Sequence, residues 1–332
     1  MESENVMKIF LTGGSGFVGG AAIKSLKNDH EIFTMSRSEA SDEKLIARGA
    51  RPVRCDLENV AADSLEGCEA VIHCAAHLPE WGPLERYDTL NIDGTRRMLE
   101  AARRAGVKRF VHIGTEAALF YGQPMHDVDE TYPLAFNSPF PYSRTKARAE
   151  QGVLDANDPS SGFETIVIRP RLVWGPDDET ILPAIHGRVK AGSFKWVDEG
   201  KAETSSTHID NLVHGIRLAL TKGASGNAYF VLDDRTVTFR EFFMRYLATM
   251  NVTPDDKSIP GWFIRGLANI TEPIWRFANI KSPPPVTRLA AHLMSRECVL
   301  TDEKARRDLG YMPVMTVDRG FTELMKGRTG ET

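Results

Sequence analysis

The stretch Thr12-Gly13-Gly14-Ser15-Gly16-Phe17-Val18-Gly19 decides the fold of this chain. It follows the apolar run 9–11, which predicts a first strand, and it leads into a helical pattern. Glycine permits a tight turn at Gly13, lets backbone approach a pyrophosphate at Gly16, and lets the helix lie close to the sheet at Gly19. A glycine-rich turn that binds nothing would look the same in isolation. The order strand, glycines, helix at the start of a βαβ unit favours a dinucleotide site.

Bulk composition excludes several function classes. The chain has 332 residues, of which 42% are hydrophobic and 26% charged, with a net charge of −4. This balance gives no electrostatic reason to expect a nucleic-acid partner. No signal peptide and no apolar run of ~20 residues is evident, which predicts a cytoplasmic protein without a membrane span. Four cysteines without zinc-type spacing predict reduced thiols and no metal site.

Strand and helix patterns alternate as far as the strand 165–169. This alternation predicts an α/β fold with a doubly wound, parallel Rossmann-type sheet. We expect a dinucleotide-binding domain over residues 7–170 and a smaller, mostly substrate-binding domain over 171–328, some elements of which return to the first sheet. In the second half, Asp210 is predicted to cap the helix 211–220.

The residues after the second predicted strand indicate which dinucleotide is bound. Enzymes that use NAD carry a carboxylate there to hold the adenosine ribose. This chain has Met35-Ser36-Arg37-Ser38 instead. A guanidinium and hydroxyls suit a 2′-phosphate, so we expect NADP(H) to be preferred, with NAD(H) as the alternative. Asp56, after the third strand, is positioned to accept from the adenine amino group.

Tyr142 and Lys146 form a YxxxK pattern. Residues four apart lie on one face of a helix, so the phenol and the ammonium point into one site. The ammonium and an oxidised nicotinamide both favour the phenolate, which lowers the pKa of the tyrosine from about 10. The pattern is common on helix surfaces. It becomes informative here because it follows the glycine loop and a strand that ends at Gly114-Thr115.

Several further motifs extend along nearly the whole chain. They are Thr12 to Gly19, Asp56-Leu57, His73-Cys74-Ala75-Ala76, Asn91-Ile92-Asp93-Gly94-Thr95, Tyr142 to Lys146, Arg169-Pro170-Arg171-Leu172-Val173-Trp174-Gly175-Pro176, Ile209-Asp210-Asn211 and Ser282-Pro283-Pro284-Pro285-Val286-Thr287-Arg288. With these motifs the chain resembles the extended short-chain dehydrogenase/reductases, in the 3β-hydroxysteroid dehydrogenase-like branch. Within that branch it is similar to the bacterial 2-alkyl-3-oxoalkanoate reductases.

The resemblance implies a role for each site residue. Tyr142 would be the acid–base group, Lys146 its activator, and Thr115 the hydroxyl that holds the substrate oxygen. Asn91 would brace the site. The predicted cofactor contacts are Gly13, Ser15, Gly16, Phe17, Val18, Gly19, Ser36, Arg37, Asp56, Leu57, Ala75, Ala76, Asn91, Tyr142, Lys146, Pro170 and Leu172. The predicted substrate contacts are His77, Trp81, Glu116, Tyr121 and Trp174.

The segment 260–294 is rich in large apolar side chains interrupted by Arg265, Glu272 and Arg276. It predicts amphipathic helices, and we expect their apolar face to close over a pocket for a hydrophobic small molecule. The same composition is typical of ordinary core, of a homodimer interface, or of a peripheral contact with a membrane surface.

The sequence therefore predicts an NADPH-dependent reductase that converts a ketone into a secondary alcohol on a 3-oxoacid-like or 3-ketosteroid-like substrate. Two alternatives share the fold. A nucleotide-sugar epimerase or dehydratase with tightly bound NAD would keep the tyrosine and lysine, but dehydratases need a second carboxylate where Ala117 stands. A non-catalytic dinucleotide sensor would have no use for the pair Tyr142 and Lys146.

Overall fold

The structure is a computed structural model that describes residues 6–77, 81–179 and 181–329. Its strands are β1 (Lys8–Thr12), β2 (Glu31–Ser36), β3 (Arg51–Arg54), β4 (Ala70–His73), β5 (Arg109–Ile113), β6 (Met125–Val128), β7 (Glu164–Arg169), β8 (Val173–Trp174), β9 (Trp196–Val197), β10 (Glu203–Thr204), β11 (Thr207–His208), β12 (Asn227–Phe230), β13 (Val237–Thr238), β14 (Ser258–Ile259) and β15 (Cys298–Leu300).

The α-helices are α1 (Phe17–Leu26), α2 (Glu39–Arg48), α3 (Leu84–Tyr87), α4 (Gly94–Arg104), α5 (Pro141–Asp155), α6 (Ile181–Lys190), α7 (Ile209–Thr221), α8 (Phe239–Ala248), α9 (Gly261–Phe277), α10 (Arg288–Met294), α11 (Glu303–Leu309) and α12 (Val317–Thr329). A π-helical segment, Asp88–Asp93, joins α3 to α4, so the helical stretch from Leu84 to Arg104 has a wider turn in its middle.

The central sheet has seven strands in the order β12-β7-β5-β4-β1-β2-β3. All of its pairs are parallel. This confirms the predicted doubly wound Rossmann-type sheet. The strand order reverses between β1 and β4, and in such sheets a ligand binds in the crevice beyond the carboxyl ends of the strands at that point.

Alternate side chains of the buried strands supply two separate cores. Ile9 and Leu11 of β1 face the layer that contains α1 and α7. Phe10 faces the opposite layer, where it packs with Met98 of α4 and Val153 of α5. A parallel sheet covered on both faces needs apolar residues at successive positions, which explains the apolar run that precedes the glycine loop.

The two predicted halves exchange strands. The strand β12 belongs to the second half of the chain but joins the central sheet beside β7. From the first half, β6 joins β15 in a smaller sheet of order β13-β10-β15-β6. Residue 170 is therefore not a boundary between the two sheets. The candidate site lies where segments from both halves meet.

One predicted helix cap is wrong. Helix α7 begins at Ile209, and the residue that caps it is His208, whose ring accepts a hydrogen bond from the backbone N–H of Asp210. Asp210 therefore lies inside the first turn, where its negative charge interacts favourably with the positive end of the helix dipole.

All four cysteines are free, as predicted for reduced thiols. Burial raises the pKa of the Cys298 thiol to about 12. Across the ranges that the structure describes, no three His, Cys, Asp or Glu side chains are grouped so that they could hold a metal ion. In the same ranges no helix combines the length and the apolar character needed to cross a bilayer.

Candidate active site

The glycine loop forms a close turn between β1 and α1. Gly13 has a φ of +75°, which favours glycine, and a Cβ there would lie 3.1 Å from the backbone nitrogen of Ala75. A Cβ on Gly19 would lie only 2.3 Å from the carbonyl oxygen of Gly13. Gly16 is exposed at the start of α1 and has no side-chain cap. The loop fits a dinucleotide because no side chain fills the cradle at the start of α1, where the Gly16 N–H donates to the Gly13 carbonyl oxygen and tightens the turn.

Hydrogen bonds tie the end of β4 to this loop. The Thr12 hydroxyl accepts from the backbone N–H of Ala75 at 3.0 Å and lies 2.8 Å from Nδ1 of His73. The other ring nitrogen of His73 lies 3.1 Å from the Thr95 hydroxyl on α4. Ala75 and Ala76 are half-buried beside the glycines, so small side chains line this part of the crevice.

An arginine that sequence reasoning missed supports the loop from α2. The Arg48 guanidinium donates to the carbonyl oxygens of Gly14 and Gly16, the second at 3.1 Å. These hydrogen bonds satisfy two carbonyl oxygens of the glycine loop, which would repel a phosphate if they were left unpaired. Nothing in the local sequence around Arg48 indicated this contact, because the two partners lie more than 30 residues apart.

The end of β2 carries Ser36 and Arg37, the residues predicted at the adenosine ribose, and Ser36 is 0% exposed. The Ser36 hydroxyl donates to the carbonyl oxygen of Ser38, and the Ser38 hydroxyl caps α2. Arg37, between them, is exposed. Asp56 accepts with one carboxylate oxygen from the backbone N–H groups of residues 58 and 59, so it also shapes its own turn. Leu57 is buried against α4.

Lys146 is buried at the carboxyl end of β5. Its ammonium donates to the carbonyl oxygen of Ile113 at 2.8 Å and lies 3.4 Å from Nε2 of His112. Burial lowers the pKa of Lys146 to about 8. Because Ile113 comes two residues before Thr115, this contact places α5, which carries Tyr142, beside the predicted site hydroxyl.

Two buried histidines line the same region. The rings of His73 and His112 lie 5.3 Å apart between centroids. Burial, and next the Lys146 ammonium, lower the pKa of His73 to about 3 and that of His112 well below its usual value. Both are therefore neutral at physiological pH. Sequence reasoning missed His112. The sign of its buried position was that it lies within the apolar strand β5.

The lowered pKa of Lys146 predicts an upper pH limit for the activity of the protein. A rise in pH through about 8 removes the proton from Lys146. If Lys146 activates Tyr142 as the resemblance implies, the phenolate of Tyr142 then loses the charge that stabilises it. We expect kcat/KM for ketone reduction to fall in this range. Arginine keeps its charge, so the Lys146→Arg variant, though less active, should lose this limb of the pH profile. If kcat/KM falls at the same alkaline pH in the unchanged protein and in Lys146→Arg, the group that titrates is not Lys146.

Asn91 connects three elements of the site from within the π-helical segment. Its side-chain oxygen accepts from the backbone N–H of His77 at 2.6 Å, and its amide group donates to the His77 carbonyl. The same amide donates to Thr145 of α5 at 3.1 Å. Segments of π-helix recur at functional sites, and here the wider turn directs Asn91 inward. This geometry is that of a brace for the 75–77 segment.

Thr115 belongs to a buried polar chain. Its hydroxyl donates to one carboxylate oxygen of Glu116 at 2.7 Å. The other oxygen of Glu116 pairs with the guanidinium of Arg171, and both side chains are about 5% exposed. Glu116 is thus held inside an ion pair, and Thr115 is held by Glu116. Sequence reasoning gave Arg171 no role of its own.

The segment after β7 reaches the same edge of the sheet. Pro170 is buried, and its carbonyl oxygen accepts from the backbone N–H of Glu116. Leu172 has a φ of +42°, which a side chain with a Cβ rarely adopts. Backbone in such a conformation often occurs at functional sites, and the contact of Leu172 with the nicotinamide stays a prediction.

The predicted substrate residues have different positions. His77 and Trp81 are half-buried near the end of β4, and Tyr121 is exposed with its hydroxyl donating to the Leu134 carbonyl. Trp174 is 0% exposed, and its indole donates to Asp233 within an aromatic core. The expectation of a substrate contact at Trp174 is wrong for this structure, because core side chains surround the ring on all sides.

The apolar segment 260–294 does form helices, α9 and α10, as predicted. However, Trp262 of α9 is 70% exposed and lies on the outer face of the helix. The inner face carries Arg276, which donates to the Gly82 carbonyl and lies over the ring of Trp81 at 4.3 Å. The prediction that the apolar face of this helix covers the substrate pocket is therefore wrong for Trp262.

Comparison with known proteins agrees with this geometry. The 3-beta hydroxysteroid dehydrogenase/isomerase family matches residues 10–260. The chain belongs to this family. It is 37% identical over 321 residues to a 4-hydroxy-2-methyl-3-oxo-4-farnesyl-3,4-dihydroquinoline-1-oxide ketoreductase of Stigmatella aurantiaca, with 96% of each chain covered. It is 32% identical over 330 residues to a 2-alkyl-3-oxoalkanoate reductase of Stenotrophomonas maltophilia, with 96% of this chain and 98% of the relative covered.

Solved structures share the fold. A dTDP-glucose 4,6-dehydratase from Streptomyces venezuelae, determined with NAD, superposes with a TM-score of 0.75 at 21% identity over 98% of this chain and 97% of that one. A protein described as gox2253 superposes with a TM-score of 0.76 at 25% identity over 99% of this chain and all of that one. As a member of the 3-beta hydroxysteroid dehydrogenase/isomerase family, the chain is an NAD(P)-dependent oxidoreductase that interconverts a ketone and a secondary alcohol.

Proposed function

We propose that this protein is an NADPH-dependent reductase of a hydrophobic ketone, with Tyr142 as the proton donor and Lys146 as its activator. The observation that carries the proposal is the buried contact of Lys146 with the Ile113 carbonyl, which supports placing α5 beside Thr115. The free cysteines favour a cytoplasmic enzyme.

The residues of the site fit this chemistry. A bound nicotinamide would supply the hydride. Tyr142 gives its proton to the carbonyl oxygen of the substrate, and the ammonium of Lys146 stabilises the phenolate that remains. Thr115 would donate its hydroxyl proton to the substrate carbonyl oxygen in place of Glu116, the carboxylate that accepts this proton when no substrate is bound.

Preference for NADPH over NADH rests on the end of β2. Arg37 is exposed there, and Ser36 lies beside it, whereas an NAD enzyme carries a carboxylate. A guanidinium donates charge-assisted hydrogen bonds to phosphate oxygens. Of the predicted cofactor contacts, this one distinguishes the two dinucleotides.

The Arg37→Asp variant is expected to bind NADPH about 10- to 100-fold more weakly, because one charge-assisted contact is lost and a repulsive charge is added. The affinity for NADH should be unchanged or higher. The measurement is the dissociation constant of each dinucleotide by fluorescence titration. Arg51→Asp is the matched control. Arg51 lies at the start of β3, away from the end of β2, so this variant should bind both dinucleotides normally. Equal affinities for NADPH and NADH in the unchanged protein would contradict the proposal.

An apolar substrate is supported by the two relatives, whose names describe a farnesyl-bearing ketone and a 2-alkyl-3-oxoalkanoate. Both substrates are ketones with long hydrocarbon parts. The Arg276 guanidinium lies over the ring of Trp81 at 4.3 Å, so the support for an apolar substrate comes from the relatives rather than from this ring. Each buried methylene contributes about 0.8 kcal/mol to binding.

A panel of 3-ketosteroids, 2-alkyl-3-oxoacids and aromatic ketones, each tested for NADPH oxidation, examines the proposal. We expect one class to be reduced, with kcat/KM rising as its alkyl part lengthens. The dehydratase alternative is disfavoured because the position after Glu116 is Ala117, a buried methyl group without acid–base capacity. Turnover of a nucleotide sugar with no net use of NADPH would favour that alternative.

A further inference from the structure

The single hydrogen of the Thr115 hydroxyl is already used inside the protein. The hydroxyl donates it to Oε2 of Glu116 at 2.7 Å, and its oxygen accepts from the backbone N–H of Ala117 at 3.2 Å. A hydroxyl group has one hydrogen to donate and two lone pairs that accept. With this arrangement Thr115 has a lone pair left over but no proton for another acceptor.

Arg171 fixes Glu116 in its place as the acceptor of this hydrogen. The Arg171 guanidinium donates through Nη1 to Oε1 of Glu116 and through Nε to the Thr204 hydroxyl, the second at 3.3 Å. The Glu116 and Arg171 side chains are each 5% exposed, and Thr204 is 0% exposed. Arg171 thus occupies one oxygen of the buried carboxylate and leaves the other to Thr115.

Backbone contacts hold both charged residues. The backbone N–H of Glu116 donates to the Pro170 carbonyl at 3.4 Å, which joins the segment after β5 to the segment after β7. The backbone N–H of Arg171 donates to the Thr207 hydroxyl at 3.1 Å. The carboxylate is therefore held beside Thr115 by main-chain contacts as well as by the ion pair.

We propose that Glu116 competes with the substrate for the hydroxyl proton of Thr115 and so sets the affinity of the site for ketones. This inference rests on the proposed reductase function, in which Thr115 donates to the carbonyl oxygen. A ketone oxygen has no proton to give, so it can bind the hydroxyl only by accepting its hydrogen. Glu116 acts on the substrate through Thr115, which makes it a positioning residue.

The ion pair makes the exchange of acceptors possible. A buried carboxylate without any partner is strongly destabilising. Because Arg171 stays on Oε1, Glu116 keeps a charged partner when the Thr115 hydrogen turns to the ketone. The N–H of Ala117 meanwhile continues to hold the Thr115 oxygen, so only the hydrogen changes direction.

Glu116→Gln tests the proposal. Arg171 offers only donors, so the amide oxygen in this variant accepts from Arg171 and the amide NH₂ group donates to Thr115. The hydroxyl proton of Thr115 is then released toward the site. We expect KM for a ketone that the protein reduces to fall about three- to tenfold, with kcat within about threefold of normal. A purely structural role of Glu116 would instead lower kcat or raise KM.

Thr115→Val determines whether the effect passes through the hydroxyl, because valine has no hydroxyl group. In this background Glu116→Gln should change KM by less than about twofold, which is the non-additivity expected of two residues in one network. Glu130→Gln is the matched control. Glu130 is a half-buried carboxylate that accepts from the Phe230 N–H at 2.7 Å, and its variant should keep a normal KM.

The double variant Glu116→Met/Arg171→Met covers the case in which Glu116→Gln folds poorly. Replacement of a whole buried ion pair by apolar side chains is often neutral for stability. This variant also leaves Thr115 without the competing carboxylate, so its KM for the ketone should fall as well. Urea denaturation reports the folding of each variant.

The outcomes distinguish this inference from the proposed function. If the unchanged protein reduces no ketone of the panel, the proposed function fails and the role of Glu116 with it. If a ketone is reduced but KM falls in neither Glu116→Gln nor Glu116→Met/Arg171→Met, only the role of Glu116 is overturned. An equal fall in KM with and without the Thr115 hydroxyl would overturn it too, because the charge would then act on the substrate directly.

Discussion

Replacement of Tyr142 by phenylalanine is expected to lower kcat by about 10²- to 10⁴-fold, the usual loss for a general acid. The ring should keep its packing against the cluster that includes Phe140, so the fold and the affinity for NADPH should survive. The measurement is steady-state ketone reduction, with dinucleotide titration as the test of binding.

Tyr132→Phe is the matched control for this variant. Tyr132 is half-buried against the same hydrophobic cluster but lies outside α5. Its hydroxyl accepts a hydrogen bond from the side chain of Gln123. We expect its kcat to stay within about twofold of normal, since only one ordinary hydrogen bond is lost. Near-normal turnover by Tyr142→Phe would move the proton donor to another group.

The second large effect concerns stability. Arg171→Met leaves the Glu116 carboxylate buried without its partner, and we expect the free energy of unfolding to fall by about 3–5 kcal/mol. The double variant Glu116→Gln/Arg171→Met removes both charges and should recover much of this loss. Urea denaturation measures both changes.

An exposed ion pair provides the comparison. Lys24 and Asp177 lie 2.6 Å apart, but both side chains are more than half exposed. Lys24→Met should therefore cost less than about 1 kcal/mol. A similar cost for Lys24→Met and Arg171→Met would show that burial does not determine the contribution of the Glu116–Arg171 pair.

Local motifs account for what the sequence predicted well. The spacing of Gly13, Gly16 and Gly19 predicts the β1–α1 unit from a local pattern, although the close approach of Gly13 to Ala75 that requires one of these glycines is a long-range contact. The strands of the central sheet follow from apolar runs for the same reason. The family resemblance added the functional reading of Tyr142 and Lys146.

Long-range contacts account for what the sequence left out. Glu116 and Arg171 are 55 residues apart, and Lys146 reaches His112 across 34 residues. A pattern of apolar residues does not say which way a face points. Trp174 and Trp262 were both expected at the substrate pocket, but Trp174 lies in the core and Trp262 is exposed. The short strands β6 and β15 pair in parallel although they lie far apart in the chain, and each carries little local signal.

The most direct test of the central claim is the transfer of label from NADPH that carries deuterium at both C4 positions of the nicotinamide to a ketone that the protein reduces. We predict one deuterium on the carbinol carbon of each alcohol molecule, with one NADPH oxidised per alcohol formed, and loss of both in Tyr142→Phe. A product that forms without net oxidation of NADPH, or with no deuterium at that carbon, would contradict the reductase assignment.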